Sequence, residues 1–179
     1  MDGSEVVTWL RRAHEQTGQG RFHDLHFGGP RPRERLVIYS DSAYILKFYI
    51  PEPGSDMVRA LFDKHDVSSS GLAEIEVPSA IHRKWREGLI GKELFTLATR
   101  QFMQDVSDGC WSFFPITGKL LQDVRENYCD LPKQQFLRAS DALHLVCAKE
   151  HGFREIYSND RHLLAAAKHF GLKGRNVIK

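Results

Sequence analysis

Arg138-Ala139-Ser140-Asp141-Ala142-Leu143-His144-Leu145, followed by Ser158-Asn159-Asp160-Arg161, is the stretch from which this chain becomes legible. Ala142, Leu143, Leu145, Val146, Cys147 and Ala148 give a mostly apolar helix opening on Asp141, and Gly152 supplies the left-handed position that stops it. Residues 153–158 are a short β-prone run, with Asp160 just past its carboxyl end. That end of the strands is where open α/β sheets bind ligands. With Asp141 opening its helix beside the same edge, the two acids can share a metal ion.

The 179 residues suffice for one domain with a sizeable core and fall short of two ordinary ones. A content of 41% hydrophobic and 27% charged residues is that of a soluble globular protein. No apolar run approaches the ~20 residues that cross a bilayer. No signal-type apolar segment opens the chain either, so the expected address is cytoplasmic, without membrane attachment. Cys110, Cys129 and Cys147 lack metal-type spacing and read as free thiols of a reducing compartment. A net charge of +2 is too small to demonstrate nucleic-acid binding, though it is compatible with a local basic face.

Residues 1–35 read as an N-terminal extension, partly disordered. A short helix with Val6, Val7 and Leu10 on one side gives way to Gly18, Gly20, Gly28, Gly29, Pro30 and Pro32. Its arginines suit either RNA or plain solvation. The domain proper spans residues 36–179 and begins with Leu36-Val37-Ile38-Tyr39, a strand buried on both faces that ends on Ser40-Asp41-Ser42. Two short helices follow over residues 43–49 and 55–64, and a second strand over 67–69. Tyr44, Phe48, Tyr49, Met57 and Phe62 in these helices are a docking face for a partner or, more economically, core.

The next helix, which Ser70 can cap, carries Leu72, Ala73, Ile75, Val77, Ala80, Ile81 and Trp85. Glu76 lies between Ile75 and Val77, where a carboxylate is costly to bury without a cation or donors. Glu74 reads as supporting or solvated, and Pro78 should kink the helix close to Glu76. His82, Arg83, Lys84 and Arg86 are either a basic rim beside the acids or a solvated face. Residues 92–106 form an antiparallel helical partner, 111–116 a third strand, 162–170 a closing helix and 176–178 a last edge strand. Gly118-Lys119 lacks the upstream glycine and following hydroxyl of a phosphate loop.

The resulting constellation is Asp41, Glu76, Asp141 and Asp160, each near a strand end or a helix start. Four crowded carboxylates repel one another, and some would take up protons unless a cation joins them. Oxygen-only ligation points to Mg²⁺ or Mn²⁺ and away from zinc. Such an ion suits phosphodiester hydrolysis. Each aspartate also has the plainer role of capping its helix. His144 reads as a core histidine bonded to a neighbour, while Lys47 and Arg161 are candidates either for phosphates or for ordinary pairing.

Tyr39-Ser40-Asp41-Ser42-Ala43, the block from Ser70 to Ile81, Ser140-Asp141-Ala142-Leu143-His144-Leu145 and the block from Ser158 to Ala167 resemble, in order, the four signature blocks of PIN-domain ribonucleases. The nearest likeness is to the VapC-like toxin branch of bacterial toxin–antitoxin pairs. The resemblance covers about residues 36–178 and leaves the N-terminal extension unexplained. It implies a PIN-like three-layer α/β/α sandwich with a central parallel sheet, and a Mg²⁺/Mn²⁺ site formed by Asp41, Glu76, Asp141 and Asp160. It further implies endonucleolytic cleavage of RNA, a homodimer, and a cognate antitoxin that masks the site. Pro78 is unusual for its block, and Ser158 matches the small hydroxyl residue often found before the last acid. Alternatives are a PIN-like module that binds RNA or protein without cutting, and a receiver domain with Asp41 as phosphoacceptor. The receiver leaves Glu76, Asp141 and Asp160 without a shared purpose. A chain starting near Leu36 is expected to fold alone, giving a cooperative melt by circular dichroism; a molten or insoluble product would contradict that boundary.

Overall fold

The structure, a computed structural model, describes residues 35–178, so the expected extension lies outside the described residues apart from Arg35. Five strands, β1 (Val37–Ser40), β2 (Asp66–Ser70), β3 (Ser112–Phe114), β4 (Glu155–Tyr157) and β5 (Lys173–Arg175), form one parallel sheet in the order β3-β2-β1-β4-β5. The connecting helices are α1 (Ser42–Tyr49), α2 (Ser55–Phe62), α3 (Ala73–Arg86), α4 (Lys92–Ser107), α5 (Gly118–Cys129), α6 (Ala139–Glu150) and α7 (Arg161–Ala166). A 3₁₀ turn, Ala167–Phe170, continues α7 and ends on Gly171, whose φ of 74° makes it a left-handed stop.

Alternation along β1 generates the layers. Ile38 faces one core with Ile45, Phe48, Val58, Phe62, Val77, Ile81, Phe102 and Trp111, drawn from α1 to α4 and the loop before β3. Its neighbour Tyr39 faces the other, with Leu120, Val124, Leu145, Val146, Ile156 and Leu163. This is the expected three-layer α/β/α sandwich with a central parallel sheet. The chain moves outward from β1 through β2 to β3, then crosses back to place β4 on the free side of β1. Strand order therefore reverses between β1 and β4, and the crevice at their carboxyl ends is the expected ligand position.

Several local expectations are corrected. The first strand is not buried along its length: Leu36 is 74% and Val37 53% exposed, and the buried end is Ser40. The last strand is residues 173–175 and not 176–178, because β5 is chosen by backbone pairing with β4 and not by its own apolar pattern. Gly174 is required there: a Cβ would stand 3.1 Å from both the Cα and the carbonyl oxygen of Leu164. Val177 and Ile178, which gave the misleading strand signal, pack against the core instead. Helix α6 opens at Ala139 with Arg138 as its cap residue, so Asp141 lies within the first turn and does not start the helix. Residues 43–64 are mainly core, with Tyr44, Phe48, Tyr49 and Phe62 buried and Met57 left exposed.

The helical hairpin is present, with Trp85 of α3 stacked on Phe95 of α4 at 4.6 Å. Helix α3 runs unbroken through Pro78, which withholds the amide that the carbonyl of Glu74 would have accepted. Arg35 donates to the carbonyls of Phe62 and His65 and pairs with Asp66, so the folded unit is tied down one residue before Leu36. Within the first core, the Tyr49 hydroxyl donates to Asp105 Oδ2 at 2.6 Å and accepts from Trp111 Nε1 at 2.7 Å. Tyr49→Phe takes a partner from two buried groups at once and is expected to destabilise by about 1–3 kcal/mol. Urea unfolding checks this: the midpoint should fall with an unchanged slope, and an unmoved midpoint would show that the network contributes nothing.

Candidate functional site

The end of β1 delivers Asp41 and the end of β4 delivers Ser158 and Asp160. The Asp41 amide donates to the Tyr157 carbonyl at 3.1 Å, locking the two strand ends side by side. Asp41 caps α1, its Oδ1 accepting from the Tyr44 amide at 3.1 Å. Asp160 caps α7, its Oδ1 accepting from the amides of His162 at 2.7 Å and Leu163 at 3.1 Å. Asp141 lies in the first turn of α6 and Glu76 in the first turn of α3. All four acids thus stand at helix amino ends, where the macrodipole favours negative charge. For Asp41 and Asp160 the capping role and the clustered role, set apart in the sequence, belong to the same side chains, whereas Asp141 lies inside its helix and is not its cap.

Asp41, Glu76, Asp141 and Asp160 line one cavity of about 300 Å³, together with Ser42, Ser79, Ala80, Arg83, Arg138 and Ser140 among others. Its acids differ in how they are held. The hydroxyl of Ser158 donates to Asp41 Oδ2 at 2.5 Å and accepts from the Asp160 amide at 2.9 Å. Glu76 Oε2 accepts from Ser42 Oγ at 2.7 Å and from His144 Nε2 at 3.0 Å. The other nitrogen of His144 lies 3.3 Å from the Tyr39 hydroxyl, so the ring links Glu76 to Tyr39. His144 is accordingly the buried, bonded histidine the sequence indicated. Asp141 Oδ2 is buried with no hydrogen-bond partner among the described residues. Asp160 Oδ2 faces Arg138 Nη1 at 3.6 Å.

Burial pushes the Asp41 carboxyl up to about 6, against the bonds from Ser158 and Tyr44 and the charge of His144. Burial and the charge of Asp160 raise Asp141 as well, with Arg138 opposing. Burial also works against Glu76, but its bond to His144, that ring's charge and the bonds from Ser42 and Ser140 outweigh it, and its pKa is lowered. The cavity therefore holds one carboxyl whose pKa is lowered by its donors beside two whose pKa values are raised by burial. Among the described residues, no three His, Cys, Asp or Glu side chains are already gathered so as to hold a metal ion.

The sequence reading missed Ser42, Ser140 and Arg138; the available signal was a small hydroxyl residue adjoining each of two acids. Of the basic rim, Arg83 lines the cavity. Lys84 and Lys47 both pair with Glu52, so Lys47 is spent on acid pairing. Arg161 Nε donates to the neighbouring His162 ring and does not line the cavity.

Asp41 yields a pH prediction. A folded pKa of about 6 against an ordinary 3.8 means the native state binds the proton more tightly than the unfolded chain. Its contribution is fully present below the ordinary value and is lost as pH rises through about 6. In chelator, Asp41→Asn should therefore gain stability relative to wild type across that window, by up to about 3 kcal/mol at neutral pH. Paired denaturation curves at acid and neutral pH measure it; a pH-independent difference would refute the assignment.

Residues 38–169 match the PIN domain family. No curated protein matches the chain. Among solved structures, VapC20 of Mycobacterium tuberculosis, a sarcin–ricin loop cleaving toxin, superposes with a TM-score of 0.58 at 14% identity, covering 72% of this chain and 94% of that one. VapBC2 of Rickettsia felis, bound to a DNA fragment from their promoter, gives 0.56 at 11% identity over 79% and 98%. FitAB bound to an IR36 DNA fragment gives 0.57 at 17% identity over 79% and 96%. At such identities the likeness is one of fold. Among the described residues no helix is long and apolar enough to cross a membrane. With the family match spanning most of the folded residues and the four-acid crevice lying inside it, the chain belongs to the PIN-domain family.

Proposed function

We propose that this protein is a divalent-metal-dependent endoribonuclease that hydrolyses RNA phosphodiester bonds and acts as the toxin of a toxin–antitoxin pair. The observation that carries the reading is Asp141 Oδ2, buried without a partner in a cavity that Asp41, Glu76 and Asp160 also line. An unpaired buried carboxylate oxygen is costly unless something cationic is meant to meet it. The all-oxygen donor set fits Mg²⁺ or Mn²⁺, and Asp41, Glu76, Asp141 and Asp160 would hold it. The raised pKa values of Asp41 and Asp141 support the same demand for positive charge. When bound, such an ion polarises a phosphoryl oxygen and makes an attacking water more acidic.

The chain's own residues prepare that chemistry. Ser158 and the Tyr44 amide fix both oxygens of Asp41, while His144 and Ser42 hold Glu76 ionised and aimed from α3. His144 and Ser158 are positioning residues, acting through the acids they bind. PIN membership supports nuclease chemistry. The activity stated for VapC20 supports RNA as the substrate class, and the VapBC2 and FitAB assemblies support a cognate antitoxin partner. A homodimer in the cytoplasm completes the reading. The spacing of the acids, with no three gathered as ion ligands among the described residues, is the observation that favours the alternative of a binding module that does not cut.

Incubation with single-stranded RNA separates the two. Cleavage is expected with Mg²⁺ or Mn²⁺, none in chelator, and a loss of at least about a hundredfold in Asp41→Asn and in Asp141→Asn. Activity surviving both substitutions would defeat the assignment. Independently of activity, Mn²⁺ should raise the melting temperature of wild type and do so less in Asp141→Asn, as ligand binding to the native state requires.

A further inference from the structure

A cavity walled by four acids repels a polyanion, so any chain of phosphates entering it needs cations placed beside those acids. Arg83 and Arg138 are the cationic residues lining this cavity. We propose that Arg83 and Arg138 form the phosphate-binding pair that seats RNA across it. This rests on the RNA-cleaving reading of the cavity and names the contacts that reading lacks.

The two arginines come from different walls. Arg83 lies seven residues beyond Glu76 on α3, two helical turns along the same face. Ser79 and Ala80, both lining the cavity, occupy the turns between them and leave room above the helix for a ligand. Arg138 is the cap residue of α6, three residues before Asp141, with no side-chain bond to the helix it precedes. Its approach to Asp160, 3.6 Å with the arginine side chain 60% exposed, is a loose surface pair. Such pairs contribute little, so the guanidinium can transfer to a phosphate at small loss. Arg83 is exposed, and its side chain has no hydrogen bond or ion pair among the described residues.

The neighbouring cations are committed elsewhere. Lys47 and Lys84 both close on Glu52, and Lys47 also donates to the Pro53 carbonyl at 3.3 Å. Arg86 points to Glu87 at 3.5 Å and does not line the cavity. A guanidinium also fits a phosphate better than an ammonium does, offering two parallel donors to two oxygens. The structure thus selects two cations out of the basic stretch, which the sequence alone left undivided.

The test is anisotropy of a labelled single-stranded RNA with the full chain in chelator, so that binding is read without cleavage. Arg83→Ala and Arg138→Ala are each expected to weaken binding by about tenfold. Each should also lower the slope of log affinity against log salt by about 0.7. Arg86→Ala is the control and should match wild type. Arg83→Lys and Arg138→Lys, which keep the charge and the fold, should restore the salt slope and only part of the affinity. Alanine variants that bind like wild type, or an Arg86→Ala loss equal to theirs, would overturn the proposal, as would wild type that binds no RNA. Cleavage with Mn²⁺ is scored apart: a wild type that binds through the two arginines and never cuts defeats the nuclease reading and leaves the phosphate pair standing.

Discussion

The Ser158 hydroxyl donates to Asp41 Oδ2 and accepts from the Asp160 amide, joining the loops that leave β1 and β4. Without that bridge, the two strand ends would be held by backbone pairing alone, from the Tyr39 and Ser40 register with Ile156 and Tyr157. The bridge is buried, so its bonds compete with little water, and a larger residue at 158 would have to displace a carboxylate. The position of the whole crevice follows from it. Asp41 and Asp160 are fixed by strands adjacent in space but separated by most of the domain in sequence. Glu76 and Asp141 then reach the same crevice from α3 and α6, helices on opposite faces of the sheet.

Much of this was legible in the chain because the four acids carry local signals. A carboxylate after a buried strand and before an apolar helix marks the sheet edge, and that pattern located Asp41 and Asp160 at the caps of α1 and α7. The alternation of short strands and helices indicated an α/β framework, and the parallel sheet with two flanking layers was what the resemblance to PIN-domain ribonucleases implied. The misses share one physical cause, that edge strands and strand entries are chosen by partners and not by their own side chains. Lys173-Gly174-Arg175 has no strand-like pattern, yet it pairs with β4 because Gly174 admits Leu164. Leu36 and Val37 look like core and are exposed, since nothing among the described residues covers the amino ends of the sheet there.

The partners of the acids were harder to read, since a bond between side chains on different elements leaves no trace in spacing. His144 sits one turn after Asp141, which points toward that acid, but its ring reaches across to Glu76 on α3. Lys84 and Arg83 are neighbours in sequence and opposite in fate, one closed on Glu52 and the other lining the crevice. Helical phase separates them, by about 100° per residue, and only the packed structure says which phase meets the acids.

The remaining question is why a folded protein tolerates four carboxylates at one place. Each sits at the amino end of a helix: Asp41 at α1, Glu76 at α3, Asp141 at α6 and Asp160 at α7. Every such end presents roughly half a positive charge, and four of them converge on the cavity. That field offsets part of the repulsion, and the caps on Asp41 and Asp160 use lone pairs that need no cation. The offset is incomplete, as the raised Asp41 and Asp141 carboxyls show. Four helices from the two layers must therefore begin at the crevice for the acids to be held at all, so the fold and the chemistry constrain each other. A sequence that moved any of these helix starts by one turn would lose a carboxylate from the cavity and, with it, part of the field that lets the others stay charged.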